Sequence, residues 1–192
     1  MGDVIGWLEE QWKQKGFRVF AVFTAALTVI MAVEFYLFAY GMLKICRYLI
    51  LLWVLFGVAW IDQQSKRIPN QAVLSLLVIR TVILLMECLV YREYWLSIVI
   101  DAGSGFFFGG GMFLFCYLIT RGGVGAGDVK LFAALGYQLG AGAIFTTIFL
   151  TVVIAAAYCL VALVRKKTGM KQEIAFAPFI FAGTVLTMML GV

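Results

Sequence analysis

The sequence predicts an all-α protein: a polytopic bundle of six to seven transmembrane helices, one of them short, preceded by an amphipathic N-terminal helix. Hydrophobic residues make up 64% of the 192 residues, and charged residues only 13%. A soluble domain of this size could not cover so much apolar surface with so few charges. Long apolar runs, separated by short charged or glycine-rich turns, divide most of the chain. Such runs indicate helices that cross a bilayer.

The first 17 residues predict an interfacial segment, followed by a membrane domain over 18–192. Apolar side chains recur there at helical spacing, and the acidic side chains fall elsewhere on the helical wheel. This pattern is typical of a helix that lies on the membrane surface. The apolar positions are Val4, Ile5, Leu8 and Trp12. The segment has no apolar core followed by small residues, so it is not expected to be a secretory signal.

The later segments are predicted from apolar runs and the charges between them. They cover about 18–43, 46–61, 71–90, 95–119, 129–140, 142–164 and 174–191. Glu34 interrupts the first run and leaves its register open, and Lys44 and Arg47 predict a turn after it. The segment 129–140 would be a helix of only about 18 Å, well below the ~30 Å hydrocarbon thickness. We therefore expect it to begin below the membrane surface, in a water-filled cleft.

Histidine is absent, which removes several chemistries at once. No Ser-His-Asp or Cys-His arrangement and no histidine metal ligand is possible. The four cysteines stand singly inside apolar segments, so a thiolate zinc site is not expected either. No nucleotide-binding motif is present, and no metal, cofactor or nucleic-acid partner is predicted.

The positions of lysine and arginine predict the orientation of the chain in the membrane. With a cytoplasmic amino end and seven crossings, eleven of these residues fall on the cytoplasmic side and three on the other, while Arg80 lies within the membrane. This orientation puts Asp62 and Asp128 on the cytoplasmic side, each at a membrane boundary. Two carboxyl groups that share a proton form a hydrolytic device that needs neither histidine, thiol nor metal.

We therefore predict an Asp62/Asp128 dyad in which one acid activates water. Asp62 ends a helix, where the dipole disfavours a negative charge, and Asp128 begins one, where the dipole favours it. From the dipoles alone, Asp62 would carry the proton and Asp128 would be ionised. The alternative interpretation is that Asp128 serves only as a helix N-cap. Lys130 either contacts lipid headgroups, or tunes the acidic pair or contacts the substrate.

Four further charges lie inside apolar segments and are functional candidates by default. They are Glu34, Arg80, Glu87 and Asp101. We expect Glu87 and Asp101 to be structural and to pair with Arg80. A competing hypothesis is a small transporter that uses Asp101, Glu87 and Arg80 as a proton or ion relay, although no inverted repeat is visible. Gly105 and Gly109, four residues apart, predict a close approach between helices.

Three ordered motifs resemble those of the type IV prepilin peptidases, aspartic membrane proteases with a Gly-x-Gly-Asp motif. Asp62 with 67–70 (Arg-Ile-Pro-Asn) resembles the first aspartate motif of that family, and 125–131 (Gly-Ala-Gly-Asp-Val-Lys-Leu) resembles the second. Residues 176–179 (Phe-Ala-Pro-Phe), followed by Ala182-Gly183, are similar to a late segment of the bacterial members. The motifs therefore span 62–183.

The resemblance implies a multi-pass aspartic endopeptidase of the cell (cytoplasmic) membrane that cleaves the leader from prepilin or pseudopilin-like proteins on the cytoplasmic side. It places the catalytic acids at Asp62 and Asp128. The supporting residues it implies are Gly125, Gly127, Lys130, Pro69, Asn70 and Pro178. Besides this substrate, membrane lipid is the expected partner.

Long members of that family also carry a zinc-binding region with paired cysteines, linked to N-methylation, which this sequence lacks. We therefore expect peptidase activity alone. The short form also resembles the peptidases of tight-adherence pili and of archaeal preflagellin, and a catalytically inactive assembly subunit is a further alternative. The substrate-binding residues and the oligomeric state are left open.

Overall fold

The computed structural model describes residues 11–12, 14–120, 123–164 and 174–191. In these ranges the chain folds into seven helices without a strand. They are α1 Lys15–Leu37, α2 Met42–Ser65, α3 Asn70–Val90, α4 Trp95–Ile119, α5 Ala126–Leu139, α6 Ala141–Val164 and α7 Ala177–Met189. Five of them, α1 to α4 and α6, are long and apolar enough to cross a membrane. The prediction of an all-α polytopic bundle is confirmed. The predicted amphipathic N-terminal helix lies mostly outside the described residues.

The turn after the first span is not where the charges predicted it. Helix α1 runs past Glu34 and ends at Leu37, and the chain reverses through Ala39, whose φ is 53°. Lys44 and Arg47 lie inside α2 instead. The Lys44 ammonium sits 4.2 Å from the centre of the Tyr40 ring, and Arg47 pairs with an acid on α3. Because both cations have partners, they do not need to interrupt the helix.

Several predicted ends are shifted by a few residues, and two of the shifts change the site. Helix α2 continues to Ser65, so Asp62 lies within its last turn. Helix α5 begins at Ala126 and has 14 residues, so Asp128 lies in its first turn. Helix α7 has only 13 residues. At 1.5 Å per residue, α5 and α7 are both about 20 Å long, shorter than the hydrocarbon layer.

Helices α4 and α5 pack with their backbones in close contact, as Gly105 and Gly109 predict. A Cβ atom on Gly105 would overlap the carbonyl oxygen of Gly136, and one on Gly109 would overlap that of Phe132. Phe113 stacks on Phe132 with ring centroids 3.7 Å apart. This packing fixes α5, the helix that carries Asp128, against a full membrane span.

The core is shared by α2, α5 and α7, and α5 itself packs against α3, α4 and α6. Fully buried side chains of these helices include Leu51, Leu52, Leu55, Phe132, Leu135 and Ile180. Large apolar side chains on the outer faces of α1, α4 and α6 are exposed, including Val19, Phe107 and Phe149. Such exposed apolar faces suit contact with lipid chains rather than with water.

The charges inside the bundle form a network that ties α2, α3 and α5 together. Glu87 accepts hydrogen bonds from Arg80 at 2.8 Å and from Arg47 at 3.1 Å. Arg80 also donates from Nε to the carbonyl oxygen of Tyr137 at the end of α5, at 2.9 Å. The predicted pairing of Glu87 with Arg80 is confirmed. The pairing predicted for Asp101 is wrong, because its Oδ1 instead accepts the Ala141 N–H at 3.1 Å, at the start of α6.

Candidate active site

Asp62 is held between the end of α2 and the beginning of α7. Its side chain is buried, with the residue only 5% exposed, and its Oδ2 accepts a hydrogen bond from the Ala177 N–H at 2.9 Å. Pro178 follows within the first turn of α7, where the missing N–H of proline leaves no donor unpaired. The carboxyl group therefore lies at the positive end of the α7 dipole as well as at the negative end of α2.

The chain then turns sharply towards α3. Lys66 adopts a left-handed backbone with φ of 50°, and its N–H donates to the Asp62 carbonyl at 2.8 Å. Pro69 forms the N-cap of α3, and its carbonyl accepts the Ala72 N–H at 3.1 Å. Asn70 Oδ1 accepts a hydrogen bond from Lys130 Nζ at 3.1 Å, which links α3 to α5.

The two glycines of the second motif have separate structural roles. Gly125 occupies the N-cap position of α5, and a Cβ there would lie 2.8 Å from Asp128 Oδ2. The lack of a side chain thus lets the Asp128 carboxyl group fold over the start of its own helix. A Cβ on Gly127 would lie 3.1 Å from the Cβ of Ile68, so this glycine lets α5 approach the α2–α3 turn. Since Gly125 holds the N-cap position, the N-cap interpretation of Asp128 is wrong.

Asp62 and Asp128 both face one cavity of about 770 Å³ at the end of the bundle where α2 ends and α5 begins. The α2–α3 turn, the α4 side chain Phe113, the start of α5 and the residues before α7 form its wall. The lining residues are Asp62, Lys66, Arg67, Ile68, Asn70, Phe113, Gly123, Val124, Gly125, Ala126, Gly127, Asp128, Lys130, Ile174 and Phe176. Of the predicted supporting residues, Pro69 and Pro178 do not line the cavity, but they begin the helices beside it.

The environment of Asp128 makes its carboxyl group a weak acid. Partial burial, followed by the charge of Asp62, raises the pKa of Asp128 from the ordinary 3.8 to about 6, while the backbone of Gly125 opposes the shift with a smaller hydrogen-bond effect. This direction is opposite to the one that the α5 dipole alone predicts, because loss of hydration outweighs the dipole at this position. A proton on Asp128 is therefore accessible close to neutral pH.

Several lining residues were not singled out as site residues from the sequence. Lys66 and Arg67 line the cavity, although two adjacent cations at the end of a span indicate by themselves only a position at the membrane surface. Phe176 belongs to the late Phe-Ala-Pro-Phe segment, which was a usable signal. Phe113 had no such signal, because it is one of 17 phenylalanines and differs from the rest only by its position in the fold. Over the described ranges, no group of three or more acidic or cysteine side chains could hold a metal ion.

Comparison with known proteins identifies relatives of this chain. Residues 49–160 match the type IV leader peptidase family. The chain is 33% identical over 134 residues to a prepilin leader peptidase/N-methyltransferase of Bacillus subtilis (strain 168), covering 70% of this chain and 51% of that protein. It is 32% identical over 143 residues to a protein of the same name from Burkholderia pseudomallei (strain 1026b), covering 71% and 44%. No solved structure matches the chain.

The chain spans about half the length of the relatives it matches. The family match covers more than half of the chain, and it includes both acids and the glycine motif around the second one. On these matches, the chain belongs to the type IV leader peptidase family.

Proposed function

We propose that this chain is a membrane aspartic endopeptidase whose catalytic groups are Asp62 and Asp128. The observation that carries the proposal is the shared cavity: two carboxyl groups 66 positions apart in the sequence line one space, and the charge of one acts on the other. Paired carboxyl groups in a partly dehydrated site can hold a single proton between them, as aspartic proteases require.

The reaction needs one ionised and one protonated carboxyl group. We assign the starting proton to Asp128, whose pKa is raised, and the role of general base to Asp62. Asp62 removes a proton from water as the water oxygen attacks the scissile carbonyl carbon, and Asp128 gives its proton to the carbonyl oxygen. Transfer of the proton on Asp62 to the amide nitrogen then breaks the C–N bond, while Asp128 takes back a proton from one hydroxyl group of the diol. The products are a carboxyl terminus and a new amine, and one proton remains on the pair.

The proposed substrates are prepilin or pseudopilin-like proteins, each with a basic leader, a glycine before the scissile bond and an apolar helix after it. Support comes from the family and from the names of the two bacterial relatives. Cleavage would occur on the cytoplasmic side, because lysine and arginine concentrate at the cavity end of the bundle under the positive-inside rule.

We propose no methyl transfer for this chain, although the relatives carry that activity in their names. The four cysteines lie far apart in the sequence, at positions 46, 88, 116 and 159, so they offer no paired zinc ligands. A proton or ion relay through the buried charges is also less well supported. Arg47 and Arg80 both donate to Glu87, and Arg80 also donates to the Tyr137 carbonyl, as expected for groups that hold helices together.

Cleavage of a prepilin-type substrate by the reconstituted chain tests the proposal. We expect Asp62→Asn and Asp128→Asn each to lower kcat by roughly 100-fold or more, the usual range for loss of a general acid or base. Asp101→Asn is the matched control, because it lies on α4, beside the far end of α5 from Asp128, and its amide oxygen can still accept the Ala141 N–H. Normal cleavage by either dyad variant, or an equal loss in the control, would contradict the assignment.

A further inference from the structure

The last turn of α2, which carries Asp62, is bound by a buried glutamine that precedes α1. Gln11 is only 6% exposed, and its side-chain oxygen Oε1 accepts two hydrogen bonds from α2. One comes from Trp60 Nε1 at 2.9 Å and the other from Gln64 Nε2 at 2.7 Å. An indole N–H can only donate, so the oxygen and not the nitrogen of the Gln11 amide must face Trp60. Gln11 therefore bridges the residues two positions before and two positions after Asp62.

This bridge and the Asp62 carboxyl group lie on opposite faces of α2. Trp60 and Gln64 are four residues apart and share one face, whereas Asp62 projects roughly 200° around the helix from Trp60. On its own side, Asp62 accepts the Ala177 N–H at 2.9 Å. The turn is thus bound from two directions, by the start of α7 through the carboxyl group and by Gln11 through the two flanking side chains.

The bonds within the turn do not fix it relative to the rest of the bundle. The Lys66 N–H donates to the Asp62 carbonyl at 2.8 Å, and the Ser65 hydroxyl donates to the Ile61 carbonyl at 2.9 Å. Both bonds are local and close the end of α2 on itself. Helix ends fray because their last carbonyl groups have no partner within the helix. A contact from outside α2 is needed to keep Asp62 at one place in the cavity.

Aromatic packing beside Gln11 fixes the indole ring of Trp60. Phe17 of α1 is buried, with ring centroids 5.1 Å from Trp60 and 5.5 Å from Phe56. A buried indole N–H without an acceptor would cost about 1–3 kcal/mol. The Gln11 oxygen supplies that acceptor, so the packing of α1 on α2 and the hydrogen bonds of Gln11 support each other.

We propose that Gln11 is a positioning residue for Asp62, an inference that rests on the proposed function. Gln11 fixes the last turn of α2 and thereby the place of the Asp62 carboxyl group in the cavity. A general base must lie within hydrogen-bond reach of the attacking water, so a small displacement of this turn lowers the rate of the chemical step. Substrate binding depends much less on it.

Three substitutions test this role in the reconstituted chain with a prepilin-type substrate. Gln11→Leu removes the accepting oxygen with little change in size. Gln11→Glu keeps an accepting oxygen whether or not the new carboxyl group is protonated. Gln14→Leu is the matched control, because Gln14 is exposed and its Oε1 lies 3.5 Å from Gln64 Nε2, beyond the usual range of a hydrogen bond.

We expect Gln11→Leu to lower kcat roughly tenfold and to leave KM within about twofold of the parent value. Gln11→Glu should recover most of the lost rate, because both donors on α2 keep their acceptor. Gln14→Leu should leave kcat and KM unchanged.

The pH profile of Gln11→Leu separates displacement of Asp62 from loss of folded protein. The proposed reaction needs a protonated Asp128, so cleavage falls as the pH rises through the Asp128 pKa of about 6. The charge of Asp62 helps to raise that pKa, so displacement of Asp62 moves the falling limb to lower pH. Loss of folded protein would lower the rate equally at every pH. The other charged side chains that line the cavity stay unchanged in this variant; they are Lys66, Arg67 and Lys130.

An unchanged kcat in Gln11→Leu, or a lower kcat with the falling limb at the parent pH, would overturn the positioning role while the peptidase activity stands. If Gln11→Leu does not fold, Trp60→Phe takes its place, because it keeps a ring against Phe17 and removes only one donated N–H. The same criteria apply to its kcat and its pH profile. A parent chain that cleaves no substrate would reject the proposed function, and this inference with it.

Discussion

Asp128 shows how a proposed catalytic position can reduce the stability of the protein. Its carboxyl group is half-buried beside Asp62, and its pKa is raised to about 6. Between about pH 4 and pH 6 the folded chain binds a proton there that the unfolded chain has released. The contribution of this group to the free energy of unfolding therefore falls as the pH rises through that window, and the loss is complete above it.

Asp128→Asn should therefore stabilise the protein at neutral pH while it abolishes cleavage. The full pKa shift corresponds to about 3 kcal/mol in the free energy of unfolding. Because the carboxyl group is partly exposed to solvent, we expect the variant to gain only about 1 kcal/mol. This increase in the free energy of unfolding should be present at pH 7. It should disappear below about pH 4, where position 128 is uncharged in both the parent protein and the variant. Thermal unfolding in detergent at a series of pH values measures it. A variant that is less stable than the parent at pH 7 would contradict this account of the site.

At the scale of the helices, the position of α5 depends on glycine packing against α4. A Cβ on Gly136 would overlap the carbonyl oxygen of Gly105, a backbone atom that cannot move without moving α4. We expect Gly136→Ala to lower the free energy of unfolding by about 1–3 kcal/mol, as overpacking usually does. Cleavage should fall as well, because α5 carries Asp128.

Gly111→Ala supplies the comparison for that variant. Whereas Gly136→Ala adds a methyl group to α5, Gly111→Ala adds one to α4, at a position where a Cβ meets no atom within 4 Å. Because alanine has the higher helix propensity, this variant should be as stable as the parent or more stable by up to about 1 kcal/mol. Unfolding temperatures and cleavage rates of both variants provide the measurement. Equal behaviour of the two would show that close α4–α5 contact does not position the site.

The sequence predicts the helices better than their ends. Apolar runs identify each membrane segment because lipid contact leaves a composition signal that needs no knowledge of the fold. The turn at Ala39 could not be predicted in this way, since Lys44 and Arg47 looked like turn residues until their partners on other segments were known. Asp101 was assigned to Arg80 for the same reason: charge suggests a partner, but only packing shows that the Ala141 N–H is nearer.

At the scale of the whole molecule, the candidate acids could be predicted, but the cavity around them could not. Asp62 and Asp128 stand out because each follows or opens an apolar helix, and both fall at the same boundary. The cavity walls depend on where the last turn of α2, the start of α5 and the residues before α7 meet in space. The hydrogen bond from Ala177 to Asp62 joins residues 115 positions apart, and no local pattern indicates it.

At the scale of the whole molecule, the helix bundle has one end on each side of the membrane. The proposed function depends on which of these ends faces the cytoplasm. The candidate catalytic cavity lies where α2 ends and α7 begins. At the other end of the bundle, where α7 ends and α1 turns into α2, the Tyr40 hydroxyl donates to the Gly191 carbonyl at 3.3 Å. The lysine and arginine distribution predicts that the cavity end faces the cytoplasm.

Single-cysteine labelling in intact cells tests that orientation, in a chain whose four native cysteines are replaced by alanine. A thiol introduced by Lys66→Cys, at the cavity, should react with a membrane-impermeant maleimide only after the membrane is opened. Arg92→Cys, in the α3–α4 turn at the other end, should react with the same reagent on intact cells. The two results must be opposite, because α3 crosses the membrane between these positions. The reverse pattern would put the cavity outside the cytoplasm and remove the proposed access of a newly made substrate to Asp62 and Asp128.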